Sequence, residues 1–338
     1  MKKIAFFIDE FKNNGVSNQI EILSKSLIEL YKVDIYCFKS SKKLNDKKIG
    51  LNIIDQSSSF IYKLLKSKSK NEIKKYINGI DADTFIVCDE VFLNYIDKKD
   101  YKNINLIYWV HNIYEGMIKN IKLYDSVIVP SDNIKNKYFS DINNVYVIPN
   151  AINIVDNIKK YDSNNRIITV SKLSKDKCIT DLIYVMKEVV NKNKNIVLNI
   201  IGDGEERVNI LRLIKSLNLS NNINMLGFYE HEDLIAELKD SDVFIFASNN
   251  ETFGISVLEA MSIGLPVVVF EDECINEFIN DEIDGFIIEN RSYEDMAVKV
   301  IQLLDNQKLQ KEIGSCAVEK SRNFDVNVIK REWLRIIK

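Results

Sequence analysis

Residues 248–269 read SNNETFGISVLEAMSIGLPVVV, and this stretch is the most informative part of the sequence about fold class. The apolar run 242–247 before it predicts a strand, residues 254–263 have the spacing of a short amphipathic helix, and a Gly-x-Pro turn leads into a second strand. A loop that opens onto a helix N-terminus presents free backbone N–H groups and the positive end of the helix dipole. The stretch therefore predicts a phosphate site at Gly254, where the missing Cβ allows a close approach.

Two carboxylates flank this predicted phosphate site. Glu251 lies in the loop and Glu259 follows eight residues later in the helix, so about 100° per residue leaves them roughly 80° apart. A nucleotide-sugar has ribose and sugar hydroxyls on either side of a diphosphate, and two acidic acceptors suit that layout. On spacing alone, a solvated loop acid and a surface helix residue remain the alternative.

The run from Glu251 to Glu259, with its Phe-Gly pair, its LEAM helix and its GLPVV strand, resembles the E-x7-E motif of retaining glycosyltransferases of family 4. The resemblance spans most of the chain and is strongest over 166–290. It implies an α/β fold of the GT-B type, in which two Rossmann-like, doubly wound parallel-sheet domains face each other across a cleft. The donor-binding residues that it implies in this stretch are Glu251, Thr252, Phe253, Gly254, Ile255 and Glu259.

The resemblance also implies a reaction, the retaining transfer of a sugar from a nucleoside diphosphate sugar, with a UDP-sugar favoured. The acceptor would be a glycan, a lipid-linked glycan or a protein. The donor is a co-substrate, and neither a cofactor nor a metal ion is implied. Glu251 would hold donor-sugar hydroxyls and Glu259 the ribose hydroxyls.

Short apolar strands alternate with helical patterns along the whole chain, which predicts βα units and mostly parallel sheets. The predicted strands are 4–8, 33–38, 51–54, 84–88, 105–110, 126–129, 145–148, 166–170, 196–201, 223–226, 243–247, 266–270 and 286–288. A polar stretch after Pro149 marks a linker. We expect an acceptor-side domain over 1–155, a donor domain over 156–324, and a last helix near 325–338 that packs back on the first domain.

The first βα loop, Lys12–Asn18, contains the sequence Asn14-Gly15. The similar family carries two adjacent glycines here, across the cleft from the donor phosphate. Gly15 matches the second and Asn14 replaces the first. Asn is one of the few residues that tolerate a positive φ, so it can replace a glycine here. The resemblance therefore implies that Asn14 and Gly15 contact the donor. An ordinary turn glycine is the alternative.

His111 follows a predicted strand and so is expected at the carboxyl end of a parallel sheet, where α/β proteins bind ligands. The similar family places a catalytic His there, against the donor sugar, and that role is carried to His111. A strand-end His with a structural hydrogen bond is the alternative.

Residues 171–178 read SKLSKDKC and resemble the family's G-R-L-x-x-x-K-G loop, whose Arg and Lys neutralise the diphosphate. Lys177 matches the Lys. Lys172 replaces the Arg, which keeps the charge but loses the bidentate fork. Ser171 and Cys178 replace the glycines. The resemblance assigns catalytic and donor-binding roles to Lys172 and Lys177, whereas a solvated loop is the alternative.

Two further motifs resemble known ligand-binding sequences but lack a feature that those sites require. The Gly202-Asp203-Gly204 sequence lacks the third glycine of a dinucleotide fingerprint, so it is interpreted as a strand-to-helix loop near the donor site. The Asp-x-Asp sequences 81–83 and 240–242 precede strands, so they are interpreted as helix-to-strand turns and not as metal sites.

Charge and cysteine content narrow the class of protein. Residues 1–150 carry 23 Lys/Arg and 18 Asp/Glu, the remainder carries 23 and 31, and the pI is near 5.7. This balance, without a basic helix bearing interleaved aromatics, disfavours a nucleic-acid partner. Five scattered cysteines without Cys-x-x-Cys and two histidines disfavour a disulfide framework or structural zinc. A cytoplasmic location is expected, and the oligomeric state stays open.

Residues 57–77 combine six lysines with apolar side chains. Such a stretch could lie on an anionic membrane, on the inner face of the cell membrane, and bring the site to a lipid-linked acceptor. A solvated helix with its apolar side on the core is the alternative.

Two other functions are compatible with the sequence. A nucleotide-sugar epimerase shares the two-domain architecture. A catalytically silent protein of the same fold, bound to an active partner, would explain the substitutions at 171, 172 and 178.

Overall fold

The computed structural model describes residues 1–44, 46–54, 68–114, 116–154, 158–162 and 164–337. Within it the chain forms two compact units. The first comprises Met1–Asn153 and Val326–Lys338, and the second comprises Ile154–Asp325.

The first unit is built on a seven-stranded parallel sheet of order β3-β2-β1-β4-β5-β6-β7. Its strands are β1 Lys3–Phe11, β2 Lys32–Ser40, β3 Ile49–Ile53, β4 Thr84–Val87, β5 Asn105–Trp109, β6 Ser126–Val129 and β7 Val145–Val147. Its first four helices are α1 Gly15–Leu27, α2 Lys68–Asn78, α3 Met117–Ile121 and α4 Asp132–Tyr138. Because β1 pairs with both β2 and β4, the strand order reverses beside β1.

The second unit holds a six-stranded parallel sheet of order β10-β9-β8-β11-β12-β13. Its strands are β8 Arg166–Val170, β9 Val197–Ile201, β10 Ile223–Gly227, β11 Val243–Phe246, β12 Val267–Phe270 and β13 Phe286–Ile288. Its helices are α5 Ile179–Lys192, α6 Arg207–Ser216, α7 His231–Lys239, α8 Ile255–Ser262, α9 Tyr293–Leu304 and α10 Gln307–Ser321. Here β8 pairs with both β9 and β11, so the reversal lies between β8 and β11.

The central strands of both sheets are buried on two faces, which explains their continuous apolar runs. All four residues of each of β4, β6, β11 and β12 are buried. Every predicted strand is present, with ends that differ by a few residues at most. The largest difference is β1, which continues to Phe11 because Phe11 is itself a core residue.

The last helix, α11 (Val326–Ile336), belongs to the first unit and packs against α1. Trp333 is buried there, with its ring 4.8 Å from that of Trp109 and nearly perpendicular to it. The Val326 amide donates to the carbonyl of Ile152 (2.9 Å), which joins the helix to the end of the first segment. An amphipathic helix at the end of the chain thereby completes the core of the unit that contains the chain's beginning.

The basic stretch 57–77 is described only in part, because 57–67 lies outside the described residues. The remainder falls in α2, where Ile73 and Ile77 are buried and Lys70 and Lys75 are exposed. Across the described part of the chain, no helix combines the length and the apolar composition that a membrane crossing requires.

Candidate functional site

The loop after β11 leads into α8 through Gly254, whose φ of 94° lies in the left-handed region. A Cβ at this position would lie 2.8 Å from Ile275 Cδ1. The backbone conformation therefore favours glycine, and the end of the Ile275 side chain would have to shift to admit a Cβ. The first amides of α8 have no acceptor within the helix, so this turn presents donors and a positive dipole end to a ligand.

Lys177 and Glu251 meet beside this turn. Lys177 Nζ lies 2.6 Å from Glu251 Oε1 and 3.4 Å from Ser248 Oγ. The two side chains are 20% and 12% exposed. The structure therefore brings together two of the predicted site residues, 74 positions apart in sequence.

Strand order explains this meeting. Lys177 follows β8, Glu251 follows β11, and the two strands are neighbours at the reversal of the sheet. Ligands of doubly wound sheets bind outside the carboxyl ends of the strands at such a reversal. The ion pair therefore occupies the position in the second unit where a ligand is expected.

Lys172, the other lysine of the motif, contacts a different acid. Its side chain is 66% exposed, and its ammonium is 3.7 Å from the carboxylate of Glu205. The backbone of the loop that carries Lys172 packs directly against Gly202 and Gly204. A Cβ on Gly202 would lie 1.8 Å from the Ser171 carbonyl oxygen. The Gly-x-Gly sequence thus serves the close approach of two loops.

Cys178, which stands where the similar family has a glycine, has a φ of 49° and is the N-cap residue of α5. This explains why a glycine suits the position, since a side chain is strained in the left-handed region. Cys178 also packs partly on the core of the second unit.

Glu259 lies in α8 with its side chain 17% exposed and its Oε1 3.8 Å from His231 Nδ1. Burial raises the pKa of Glu259 to about 7. A carboxyl with this pKa exchanges its proton near neutral pH and can donate or accept a hydrogen bond from a hydroxyl.

The raised pKa of Glu259 predicts a pH-dependent stability. The neutral carboxyl favours folding fully below 4.5, the ordinary value, and this contribution is lost as the pH rises to about 7. Wild type should lose up to about 3 kcal/mol relative to Glu259→Gln across this window. Urea unfolding of both proteins at several pH values measures it. The exposed helical variant Glu312→Gln should track wild type, and parallel curves for wild type and Glu259→Gln would contradict the prediction.

Phe253 is buried, with its ring 5.5 Å from that of Phe278 and 5.7 Å from that of Phe324. Its side chain is therefore part of an aromatic cluster with these two rings. Thr252 lies beside it in the loop, and Ile255 is the first residue of α8.

The remaining predicted residues belong to the first unit. Asn14 caps α1: its side-chain oxygen accepts from the Ser17 amide at 2.9 Å, and Gly15 is the first helical residue. The positive φ considered for Asn14 is wrong, because its φ is −151°, the extended conformation of an N-cap residue.

His111 follows β5 and is buried, with its ring 4.4 Å from that of Trp109. Burial lowers the pKa of His111 to about 3. The imidazole is therefore neutral at physiological pH, which suits hydrogen bonding rather than charge–charge attraction.

Sequence reasoning missed the residues that hold the two loops together. Arg291 donates to the Asp181 carboxylate (2.6 Å), to the Ala247 carbonyl (2.6 Å) and to the side chain of Asn249. The Asp272 carboxylate accepts from the Glu251 amide at 3.2 Å. These partners come from distant segments, so no local spacing marks them.

A family model described as "Glycosyl transferases group 1" matches residues 151–320. The chain is 26% identical over 330 residues to the poly(ribitol-phosphate) alpha-N-acetylglucosaminyltransferase of Staphylococcus aureus, covering 96% of this chain and 62% of that protein. It is 28% identical over 198 residues to the alpha-monoglucosyldiacylglycerol synthase of Acholeplasma laidlawii, covering 58% and 48%. The chain thus spans less than two thirds of both relatives.

Two solved structures resemble the chain over its whole length. One is a mutant of S. aureus TarM in complex with fondaparinux, alpha-GlcNAc-glycerol and UDP, with a TM-score of 0.84, 18% identity and 100% of both chains covered. The other is Anabaena HepE in complex with UDP and glucose, with a TM-score of 0.86, 18% identity and 99% of both chains covered. At this identity the likeness establishes the fold, and the predicted GT-B class is confirmed.

Proposed function

The chain belongs to the glycosyl transferases group 1 family, and from that premise we propose that it transfers a sugar from a nucleoside diphosphate sugar, with a UDP-sugar favoured, to an acceptor hydroxyl. The observation that carries the proposal is the Lys177–Glu251 pair, 2.6 Å apart, beside the glycine turn that begins α8. UDP in the two similar structures supports the choice of nucleotide.

The donor diphosphate would lie at the amino end of α8, where the amides of Gly254 and Ile255 donate to it. The Lys177 ammonium has three N–H donors and makes one short contact, to Glu251, and two long ones, to Ser248 Oγ (3.4 Å) and Asp176 Oδ2 (3.5 Å). By exchanging a long contact for a phosphate oxygen it would keep its bond to Glu251. Lys172 would add a second positive charge from the exposed side. Positive groups placed where negative charge grows on the leaving diphosphate stabilise the transition state, usually as a large contribution.

The reaction that we propose retains the anomeric configuration. The bond between the anomeric carbon and the phosphate oxygen breaks, and its electron pair leaves with the diphosphate. The acceptor oxygen then bonds to the anomeric carbon from the same face, and its proton passes to the departing phosphate oxygen. Glu251 would hold sugar hydroxyls, Glu259 ribose hydroxyls, and neutral His111 would position the sugar, with Asn14 and Gly15 near the donor phosphate.

In this proposal the lysines and helix amides supply the positive charge, so neither a metal ion nor a cofactor is required. The acceptor is a glycan, a lipid-linked glycan or a protein. A lipid-linked acceptor would be reached by peripheral contact of the basic stretch 57–77 with the inner face of the cell membrane. Co-sedimentation with anionic vesicles tests that contact, and equal sedimentation with neutral vesicles would remove it.

Donor binding is expected to raise the melting temperature of the protein. A ligand at 100 times its Kd stabilises the folded state by about 2.7 kcal/mol. A thermal-shift screen against UDP-, GDP- and ADP-sugars should therefore single out a UDP-sugar. No shift with any of them would contradict the proposal.

Products of the reaction without acceptor separate the alternative functions. A transferase slowly releases nucleoside diphosphate and free sugar from its donor. An epimerase would convert the donor to another nucleotide-sugar without that release, and a silent partner protein would do neither.

A further inference from the structure

Arg291 lies at the end of the short 3-10 turn that follows β13, and its guanidinium contacts three other segments. Nη2 donates to Asp181 Oδ2 and to the Ala247 carbonyl, both at 2.6 Å, and Nε donates to the same Asp181 oxygen at 3.0 Å. Nη1 donates to Asn249 Oδ1. The guanidinium centre also lies 4.9 Å from the centre of the Phe270 ring. Four of its five N–H donors are thus assigned by geometry.

The segments joined in this way carry the candidate site. Ala247 and Asn249 follow β11 and lead to Glu251, whereas Asp181 lies in the first turn of α5, four residues after Lys177. The Asn249 amide also donates to the Asp176 carbonyl at 3.0 Å. Arg291 therefore connects the loop that carries Glu251 to the segment that follows Lys177.

The backbone of Arg291 has a φ of 51°, in the left-handed region where a side chain is strained. Such conformations persist where the surroundings over-determine them, and they cluster at functional sites. The contacts of the guanidinium with Asp181, Ala247 and Asn249 can offset this strain.

We propose that Arg291 is a positioning residue for sugar transfer, which holds Lys177 and Glu251 at the separation that donor cleavage requires. This inference rests on the function proposed above. It assigns to Arg291 no contact with the donor: the guanidinium acts through the two loops that it joins. A lysine could keep the charge but not the planar fork, so it would reach only some of the acceptors.

The test compares Arg291→Gln and Arg291→Lys with the matched control Arg212→Gln, an exposed helical arginine in the same unit. Release of UDP from a UDP-sugar gives kcat and KM. Because a misplacement of about 1 Å can cost roughly 10²-fold in rate, we expect kcat of Arg291→Gln to fall by about that factor, with KM changed less than about threefold. Arg291→Lys should recover part of the loss, and the control should match wild type.

Amide hydrogen exchange supplies a measurement that does not depend on turnover. In Arg291→Gln, exchange over 247–254 should accelerate by about tenfold or more, while α6 stays at the wild-type rate. Asp181→Asn breaks the same ion pair from the other side and should give the same pattern. Wild-type kcat and wild-type exchange in Arg291→Gln would overturn the inference.

Different experimental results would contradict the proposed function and the positioning role of Arg291. If wild-type protein releases no nucleoside diphosphate from any donor, the proposed function fails, and the exchange over 247–254 still decides whether Arg291 holds the loops. If wild type is active and Arg291→Gln equals it in kcat, the positioning role alone is wrong. If Arg291→Gln does not fold, Arg291→Lys and Asp181→Asn carry the same comparison.

Discussion

Lys177→Ala is expected to lower the turnover of donor hydrolysis by about 10²–10³-fold, since one donor to a developing negative charge typically contributes that much. The side chain is 20% exposed and lies 2.6 Å from Glu251 Oε1, so its charge acts in a partly dry environment. Removing it also leaves the Glu251 carboxylate without this partner, which should cost about 1–3 kcal/mol of stability. Steady-state kinetics and urea unfolding measure the two effects.

The matched control for Lys177 is Lys175→Ala. A short 3-10 turn spans Lys175–Lys177, and Lys175 is exposed, so its removal deletes the same charge from the same loop. Turnover of the control should stay within about twofold of wild type. Equal activity of Lys177→Ala and wild type would remove Lys177 from the reaction, and equal losses in both variants would indicate a general effect of charge.

Gly202→Ala is expected to destabilise the second unit by about 4 kcal/mol, a loss that requires a specific steric cause. The φ of Gly202 is 136°, and a Cβ there would lie 1.8 Å from the Ser171 carbonyl oxygen and 2.9 Å from its carbon. Those atoms are backbone, so relief requires the loop that carries Lys172 to move. Thermal or urea unfolding measures the loss, and donor binding should weaken with it.

Gly227→Ala separates backbone strain from the clash. Gly227 has a φ of 78°, and a Cβ there meets nothing within 4 Å. This variant should lose only the cost of a left-handed backbone, about 1–2 kcal/mol. If both variants lose the same amount, the contact between the loops of Gly202 and Ser171 is not what requires the glycine.

Much of the architecture could be predicted from the sequence because it depends on local patterns. Short apolar runs bounded by turn residues marked the strands, and the central strands are apolar throughout because both of their faces are buried. The helix after Gly254 was marked by its period and by a glycine at its start. The left-handed φ of Gly254 and the N-cap conformation of Asn14 were not distinguished in advance, because both residue types occur in either role.

Individual residues of the candidate site could be predicted from motifs, but their arrangement in space could not. Lys177 and Glu251 were each marked by a motif, and their meeting required β8 and β11 to be neighbours. Lys172 belongs to the same motif as Lys177, yet its side chain extends toward Glu205 and solvent. Direction along a loop depends on how the loop packs, here against Gly202 and Gly204, and motif spacing carries no information about that.

Local sequence patterns were enough to predict the two parallel-sheet units, the glycine turn before α8 and the acids on either side of it, because periodicity and turn chemistry are local. Which charges share a site, that burial raises the pKa of Glu259 and lowers that of His111, and that Arg291 joins two distant segments all depend on the three-dimensional packing. Electrostatic interactions and burial depend on distance in space, and strand order brings together residues that lie far apart along the chain.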